Sequence, residues 1–191
     1  MRNPSEKEEI QKELVLKNCF ECMVKNGIEE TSIREFSKAT GMTASSLYYW
    51  FNNKDEIVLE ATEYGIRVII DQFFDFAMQH VKNVEKMCFE IQEKAKNYQT
   101  SLKTVFQVVA SPKYGLKMAE VSEHISILFD VYAKKISGQL DMPYAKARTM
   151  IDLFISAVED GVLWGQWDKL SKEIEFLLSM TVCESKEDND G

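Results

Sequence analysis

Residues 31–56, TSIREFSKATGMTASSLYYWFNNKDE, constrain the fold of this chain more than any other stretch. Ser32 and Glu35 stand at the spacing of a capping box, in which a hydroxyl caps a helix start and an acid three residues later reaches back. Gly41 follows this first short helix, where glycine can adopt the left-handed conformation that ends it. Thr43 can cap a second helix. The stretch therefore predicts two short helices joined by a tight turn.

The second helix, expected over about residues 43–51, has one apolar side formed by Leu47 and Phe51, and its polar sides stay free for other contacts. A third helix should begin near Lys54, where an ammonium group beside unpaired backbone N–H groups suits a phosphate. This order of elements predicts a helix-turn-helix motif that binds in the major groove of DNA. A packed helical hairpin without that function is the alternative, because it shares much of the pattern.

The residues from about Val15 to Glu60 resemble the N-terminal domain of TetR-type transcriptional regulators. The positions that carry the resemblance follow that family's spacing: Cys19, Phe20, Met23, Gly27, Thr31, Ser32, Ala39, Gly41, Thr43, Leu47, Tyr48, Phe51 and Lys54. The sequence departs from the family at Ala44, Ser45 and Ser46, where many members carry a Lys or Arg. The resemblance implies a DNA-binding regulator whose C-terminal part dimerises and binds a small molecule.

We expect the DNA contacts to come from the recognition helix and its flanks. Base edges or the thymine methyl would be approached by Thr43, Ser45, Ser46 and Tyr49, and phosphates would be held by Thr31, Tyr48 and Lys54. Because the recognition run offers hydroxyls and a methyl in place of bidentate cations, DNA shape and paired half-sites should supply much of the specificity.

Charge argues in part against DNA binding. The chain carries 23 Lys and Arg against 31 Asp and Glu, a formal net charge of −8, whereas nucleic-acid binders are typically basic. No acid occurs between Glu35 and Asp55, however, and Lys38 and Lys54 lie in that window. The DNA-facing surface can therefore be locally positive, with few phosphate contacts per subunit. The main alternative is a helical ligand-binding or partner-binding protein that does not bind an operator.

The composition predicts a nearly all-α protein, because the 191 residues include only three prolines and eight glycines. We expect about nine helices in three parts: a three-helix helix-turn-helix domain (1–60), a larger C-terminal effector-binding and dimerisation domain (61–184), and a flexible acidic tail (185–191). No apolar run approaches the ~20 residues that span a bilayer, and no signal segment is visible, so a cytoplasmic protein without a membrane partner is expected.

The resemblance implies a small-molecule effector, and the abundance of aromatic and Met side chains favours a hydrophobic or aromatic one. The candidates to line its pocket are Phe74, Met78, Phe106, Met118, His124, Phe129 and Trp164. Each of these residue types also fills helical cores, so a purely structural role is the alternative for every one of them.

The last two helices, expected over about residues 143–167 and 171–183, carry apolar residues at three- and four-residue steps. These residues predict a homodimer interface made of Met150, Phe154, Val158, Gly161, Val162, Gly165, Phe176 and Met180. A two-fold dimer would match a palindromic DNA operator. The alternative is a monomer that buries this stripe internally.

Nothing in the sequence indicates catalysis, since no glycine-rich phosphate loop, nucleophile elbow or metal-ligand cluster occurs. Cys19 and Cys22 resemble half of a zinc site, but two helical positions three apart beside Phe20 and Met23 are more typical of a core-facing pair. We therefore expect no catalytic residues, no metal and no cofactor, and a repressor that a small effector releases from its operator.

Overall fold

The computed structural model describes residues 6–80 and 84–182, and within these ranges the chain forms nine helices without a strand. They are α1 (Glu6–Asn26), α2 (Ile33–Thr40), α3 (Ala44–Trp50), α4 (Lys54–His80), α5 (Val84–Asn97), α6 (Gln99–Ala110), α7 (Met118–Leu140), α8 (Tyr144–Trp164) and α9 (Trp167–Val182). The prediction of an all-α fold with about nine helices is confirmed.

Packing divides the described chain into two compact units. Unit 1 comprises residues 6–69 and 100–122, and unit 2 comprises residues 70–80, 84–99 and 123–182. Helices α4 and α7 each contribute residues to both units. The predicted domains are continuous ranges of sequence, whereas these units are defined by contacts, so the domain boundary at residue 60 stays a prediction. The predicted tail lies outside the described residues.

Unit 1 is built around side chains from the first four helices. The centre of its core consists of residues that are at most 1% exposed: Cys19, Met23, Phe36, Leu47, Phe51, Ile57, Val58 and Ala61. Gly27, at φ 83°, follows the end of α1, and its N–H donates to Met23 O at 2.9 Å. Gly65 of α4 lies against the ring of Phe20, where a Cβ would stand 2.6 Å from a ring carbon. Helices α1 and α4 can approach this closely because residue 65 has no side chain.

Unit 2 packs α8 against α9, and α5 against both. An aromatic cluster joins three of its helices: the Phe74 ring stacks on Tyr132 with centroids 4.6 Å apart, and it also contacts Phe129 and Phe154 edge-on. Phe73 adds a further contact to Phe154. Apolar side chains from three segments that are distant in sequence are packed together in this way.

The junction between α8 and α9 differs from the prediction, which placed the break near residues 168–171. Helix α8 ends at Trp164 because Gly165 takes the left-handed conformation at φ 70° and its N–H donates to Gly161 O. Helix α9 then starts at Trp167, whose ring lies 3.0 Å from the position of a Cβ on Gly161. The small residues at 161 and 165 therefore serve packing and helix termination within the chain.

Candidate nucleic-acid interface

The two short helices of unit 1 are held by the caps that the sequence predicts. Ser32 Oγ accepts a hydrogen bond from Glu35 N at 3.3 Å, and Thr43 Oγ1 accepts one from Ser46 N at 3.1 Å. Gly41 lies between the helices at φ 70°. Because the caps and the left-handed glycine fix both helix ends, the turn between α2 and α3 is specified locally.

Helix α3 is anchored by Leu47, while the adjoining Phe51 is buried at its C-cap. The opposite surface of the helix is exposed, with Tyr48 at 48% and Tyr49 at 80%, and Ser45 is exposed as well. The Tyr49 ring contacts Trp50 edge-on at 5.8 Å. A short helix with one buried side and an exposed hydroxyl-bearing side has the form of a recognition helix.

The hydroxyls of Thr43 and Ser46 hydrogen bond to each other at 2.9 Å. Thr43 Oγ1 also caps the helix, so its capacity to bond a base is reduced, whereas its methyl group is on an exposed residue. Of the four side chains predicted to contact bases, Ser45 and Tyr49 are therefore the most available for polar contacts, and Thr43 is better suited to an apolar contact with a thymine methyl.

The start of α4 has its own cap. Asn53 Oδ1 accepts a hydrogen bond from Glu56 N at 3.0 Å, and the Glu56 carboxylate turns back to bond Asn52 N and Asn52 Nδ2. Lys54, the first residue of the helix, is half-buried. The Lys54 ammonium thus stands at the helix end that favours an anion.

The structure corrects the role predicted for Thr31. This residue is fully buried, and its hydroxyl donates to Gly27 O at 2.5 Å. In this conformation Thr31 cannot reach a phosphate. Instead, it ties the turn after α1 to the start of α2.

Two exposed cations on α2, Arg34 and Lys38, lie in unit 1 beside the motif. Lys38 is 3.6 Å from Glu35, so this acid partly offsets it. Arg34 was missed as a candidate from the sequence, although its position two residues after the cap Ser32 places it in the first turn of a motif helix.

A contact distant in sequence also reaches the start of α4. Lys113 Nζ lies 2.5 Å from Asp55 Oδ1, and Tyr114 Oη donates to the same oxygen at 3.1 Å. The hydrogen bond from Lys113 holds the pKa of Asp55 below its ordinary value. An open groove of about 850 Å³ separates residues 27–30, Lys54 and residues 110–114. No local pattern could have predicted this pairing.

The predicted effector-site residues are distributed over both units of the chain. Phe106 and Met118 belong to unit 1, whereas the other five belong to unit 2. Within unit 2, Phe74 is buried and Met78 and Phe129 are half-buried, but His124 is exposed and Trp164 is 71% exposed. Among the unit 2 candidates, the rings of Phe74 and Phe129 contact each other.

Unit 2 contains a small, partly open apolar cavity of about 80 Å³. Its lining is formed by Phe74, Ala77, Ile91, Ile136, Met150, Ile151, Phe154, Ile174 and Leu177. Tyr132 stacks on the Phe74 ring, and its Oη donates to Asp71 at 2.8 Å and lies 3.4 Å from Asp75. Burial, together with the hydrogen bond to Asp71, raises the pKa of Tyr132 well above its ordinary value.

Most of the predicted dimer stripe is turned inward. Val158, Gly161 and Val162 are buried, and Met150 and Phe154 line the apolar cavity. Gly165 is the left-handed cap of α8, and the side chain of Met180 lies outside the described residues. Among the described members of the set, Phe176, at 64%, and Gly165 are exposed. At most of these positions, α8 therefore packs its apolar stripe inside the chain, as the alternative interpretation expects.

Cys19 and Cys22 are both buried in unit 1, as expected for a core-facing pair. Burial raises the pKa of the Cys19 thiol to about 12, which disfavours the thiolate that metal binding requires. Among the described residues, none of the helices is long and apolar enough to cross a membrane.

Comparison with known proteins supports this interpretation of unit 1. Residues 15–61 match the family model of bacterial regulatory proteins of the tetR family. The fold is similar to a transcriptional regulator from Aquifex aeolicus (TM-score 0.55, 19% identity, 89% of this chain and 98% of that one). It is also similar to FadR from Thermus thermophilus, a TetR-family repressor in complex with lauroyl-CoA (TM-score 0.55, 16% identity, coverage 89% and 92%). A third similar structure is FadR from Bacillus subtilis in complex with stearoyl-CoA (TM-score 0.52, 18% identity, coverage of 88% of this chain and 96% of that one).

No curated protein matches the sequence. The capped helix pair, the exposed side of α3 and the cation at the start of α4 define a helix-turn-helix DNA-binding protein. The family model of bacterial regulatory proteins of the tetR family covers this whole motif, and the fold of the chain is similar to that of TetR-family regulators.

Proposed function

We propose that the protein is a repressor that binds a palindromic operator as a homodimer and is released by a hydrophobic effector. The observation that carries the DNA-binding part is the geometry of α3. Its ends are capped, its Leu47 side is buried, and Ser45, Tyr48 and Tyr49 are exposed. A rigidly held helix of this kind fits the major groove.

Specific roles follow from exposure. Ser45 and Tyr49, with the Thr43 methyl and Ser46, approach the bases, while Tyr48 and Lys54 hold the phosphates. Thr31 positions the motif from inside. Since few cations flank α3, each half-site contributes a modest electrostatic term, and two subunits are needed for useful affinity. Chromosomal DNA as the target implies that the protein acts in the cytoplasm.

Fluorescence anisotropy with the DNA upstream of the protein's own gene tests this proposal across salt concentration. Tyr48→Phe and Lys54→Ala should both weaken binding, and Lys54→Ala should reduce the salt slope by about 0.9 for one lost phosphate contact. Lys103→Ala, which removes an exposed cation of α6, is the matched control. A folded wild-type dimer that fails to bind at low salt would favour the ligand-binding or partner-binding alternative, which the acidic net charge supports.

As the dimer interface, we propose the exposed apolar residues of α8 and α9 in place of the buried stripe. Leu153 and Trp164 are eleven residues apart, about three helical turns, and so occupy one face of α8. Both are exposed, as is Phe176 on α9. Trp164→Ala should weaken self-association in sedimentation equilibrium, whereas Phe89→Ala, at a comparably exposed position on α5, should not.

For the effector, the apolar cavity beside Phe74 and Phe154 supports a ligand with a hydrocarbon portion. Two proteins of similar fold were crystallised with stearoyl-CoA and lauroyl-CoA, so we propose a ligand with an acyl chain. A cavity of about 80 Å³ is smaller than the ~300 Å³ of small ligand pockets, so unit 2 must open to admit it. Acyl-CoA titrated into the DNA complex should lower the anisotropy. If no chain length changes operator affinity, the effector part fails while DNA binding stands.

A further inference from the structure

The start of α4 carries an acid where the proposed function places a phosphate. Asp55 directly follows Lys54 and is the second residue of the helix. A carboxylate a few ångströms from a DNA phosphate repels it, and near a protein surface this repulsion is strong enough to change affinity severalfold. The first turn of α4 holds Lys54 against two acids, Asp55 and Glu56, and the Glu56 carboxylate is engaged by Asn52. Strong phosphate binding here therefore requires that Asp55 be neutralised.

Two side chains from the segment after α6 bind this carboxylate, one with the opposite charge and one with a hydrogen bond. Lys113 Nζ lies 2.5 Å from Asp55 Oδ1, and Tyr114 Oη donates to the same oxygen at 3.1 Å. Lys117 adds a weaker attraction from the same segment. The Lys113 ammonium also lies 5.0 Å from the centroid of the Tyr114 ring, so the two residues hold each other in place.

The local sequence fixes this segment. Ser111 Oγ accepts a hydrogen bond from Lys113 N at 3.2 Å, and Ser111 O accepts one from Gly115 N at 2.8 Å. A Cβ at Gly115 would stand 2.6 Å from Val109 O, so the tight turn requires glycine. Tyr114 itself is buried. The Lys113 and Tyr114 side chains are thus presented to Asp55 by an ordered turn.

We propose that Lys113 and Tyr114 are positioning residues for DNA binding, which act by neutralising Asp55 beside the phosphate held at Lys54. This inference rests on the proposed function, because it presumes a phosphate at the start of α4. It assigns part of the operator affinity to residues that lie more than fifty positions beyond the helix-turn-helix.

A double-mutant cycle in the same anisotropy assay tests this inference, with the DNA upstream of the gene and the full chain. Lys113→Ala should weaken binding about tenfold at low salt, because it leaves Asp55 uncompensated. Asp55→Asn in the Lys113→Ala background should restore affinity to within about twofold of wild type, since the repelling charge is gone. Lys113→Arg should retain binding, Tyr114→Phe should give a smaller loss, and Lys103→Ala is the charge-matched control.

Thermal unfolding of every variant separates these effects from loss of structure. The loss in Lys113→Ala should shrink as salt rises, because exposed charges are screened. If Asp55→Asn fails to restore binding, Lys113 contacts DNA directly or supports the turn only, and the inference is overturned. An affinity of Lys113→Ala equal to that of wild type would overturn it as well. Failure of the wild-type protein to bind DNA would remove the proposed function and this inference together.

Discussion

The helix-turn-helix in unit 1 and the aromatic cluster in unit 2 differ in how far apart their determinants lie in the sequence. In the motif, Ser32 bonds Glu35 N and Thr43 bonds Ser46 N, each across three residues. In unit 2, Tyr132 bonds Asp71 across 61 residues. Bonds between near neighbours are visible as spacing patterns, whereas the second kind of contact forms only after the chain has packed. The comparison explains why the DNA-binding surface was predicted in more detail than the effector site.

The largest expected effects come from emptying the two cores. Phe36 in unit 1 and Phe74 in unit 2 are both buried, and truncation of either to Ala should lower the free energy of unfolding by about 3–5 kcal/mol. Urea denaturation measures the change, and Phe89→Ala, at an exposed site of α5 outside the proposed dimer interface, is the control. A loss below about 1 kcal/mol in one region alone would show that this region does not depend on its buried ring.

The next largest effects come from replacing one glycine in each unit by alanine. Gly65→Ala should destabilise the protein by about 1–3 kcal/mol, because the new Cβ meets the Phe20 ring. Gly138→Ala in α7 meets nothing within 4 Å and should stabilise by about 0.5–1 kcal/mol, since alanine favours a helix interior. Thermal unfolding compares the two variants. Adding Phe20→Leu should recover part of the Gly65→Ala loss, and no recovery would argue against the close approach of α1 and α4.

The cap at Thr43 gives a smaller, local effect. Thr43→Ala removes the acceptor for Ser46 N and should cost about 1 kcal/mol of stability. Thr43→Ser keeps the hydroxyl and should stay close to wild type in chemical denaturation. Equal losses in both variants would mean that the methyl group, and not the cap, holds the start of α3.

The smallest effect is the pH dependence of the Asp55 contact. The pKa of Asp55 is lowered in the folded protein, chiefly by the hydrogen bond from Lys113. Its contribution to stability is therefore complete above the ordinary carboxyl pKa and is lost as the pH falls through the lower folded-state value. Asp55→Asn should lose less stability than wild type on acidification below about pH 5. Parallel curves for wild type and Asp55→Asn would show that the contact adds nothing to folding.

Much of the fold was predictable because helix starts and ends depend on nearby residues. The caps at Ser32 and Thr43, the turn at Gly41 and the start of α4 all follow from such signals. The end of α8 was missed, since Gly165 was assigned to the dimer interface. It terminates the helix instead. A glycine in a sequence pattern is compatible both with a helix end and with a helix interface.

The sequence by itself determined the motif, its caps, the exposed hydroxyl side of α3 and the cation at the start of α4, because each depends on residues within one or two helical turns. Only the tertiary structure decided that Thr31 is buried, that the α8 stripe faces inward while Trp164 is exposed, and that Lys113 reaches Asp55. The direction in which an apolar stripe or a long cation points is set by the segments that pack beside it, and a single-sequence pattern contains no record of those neighbours.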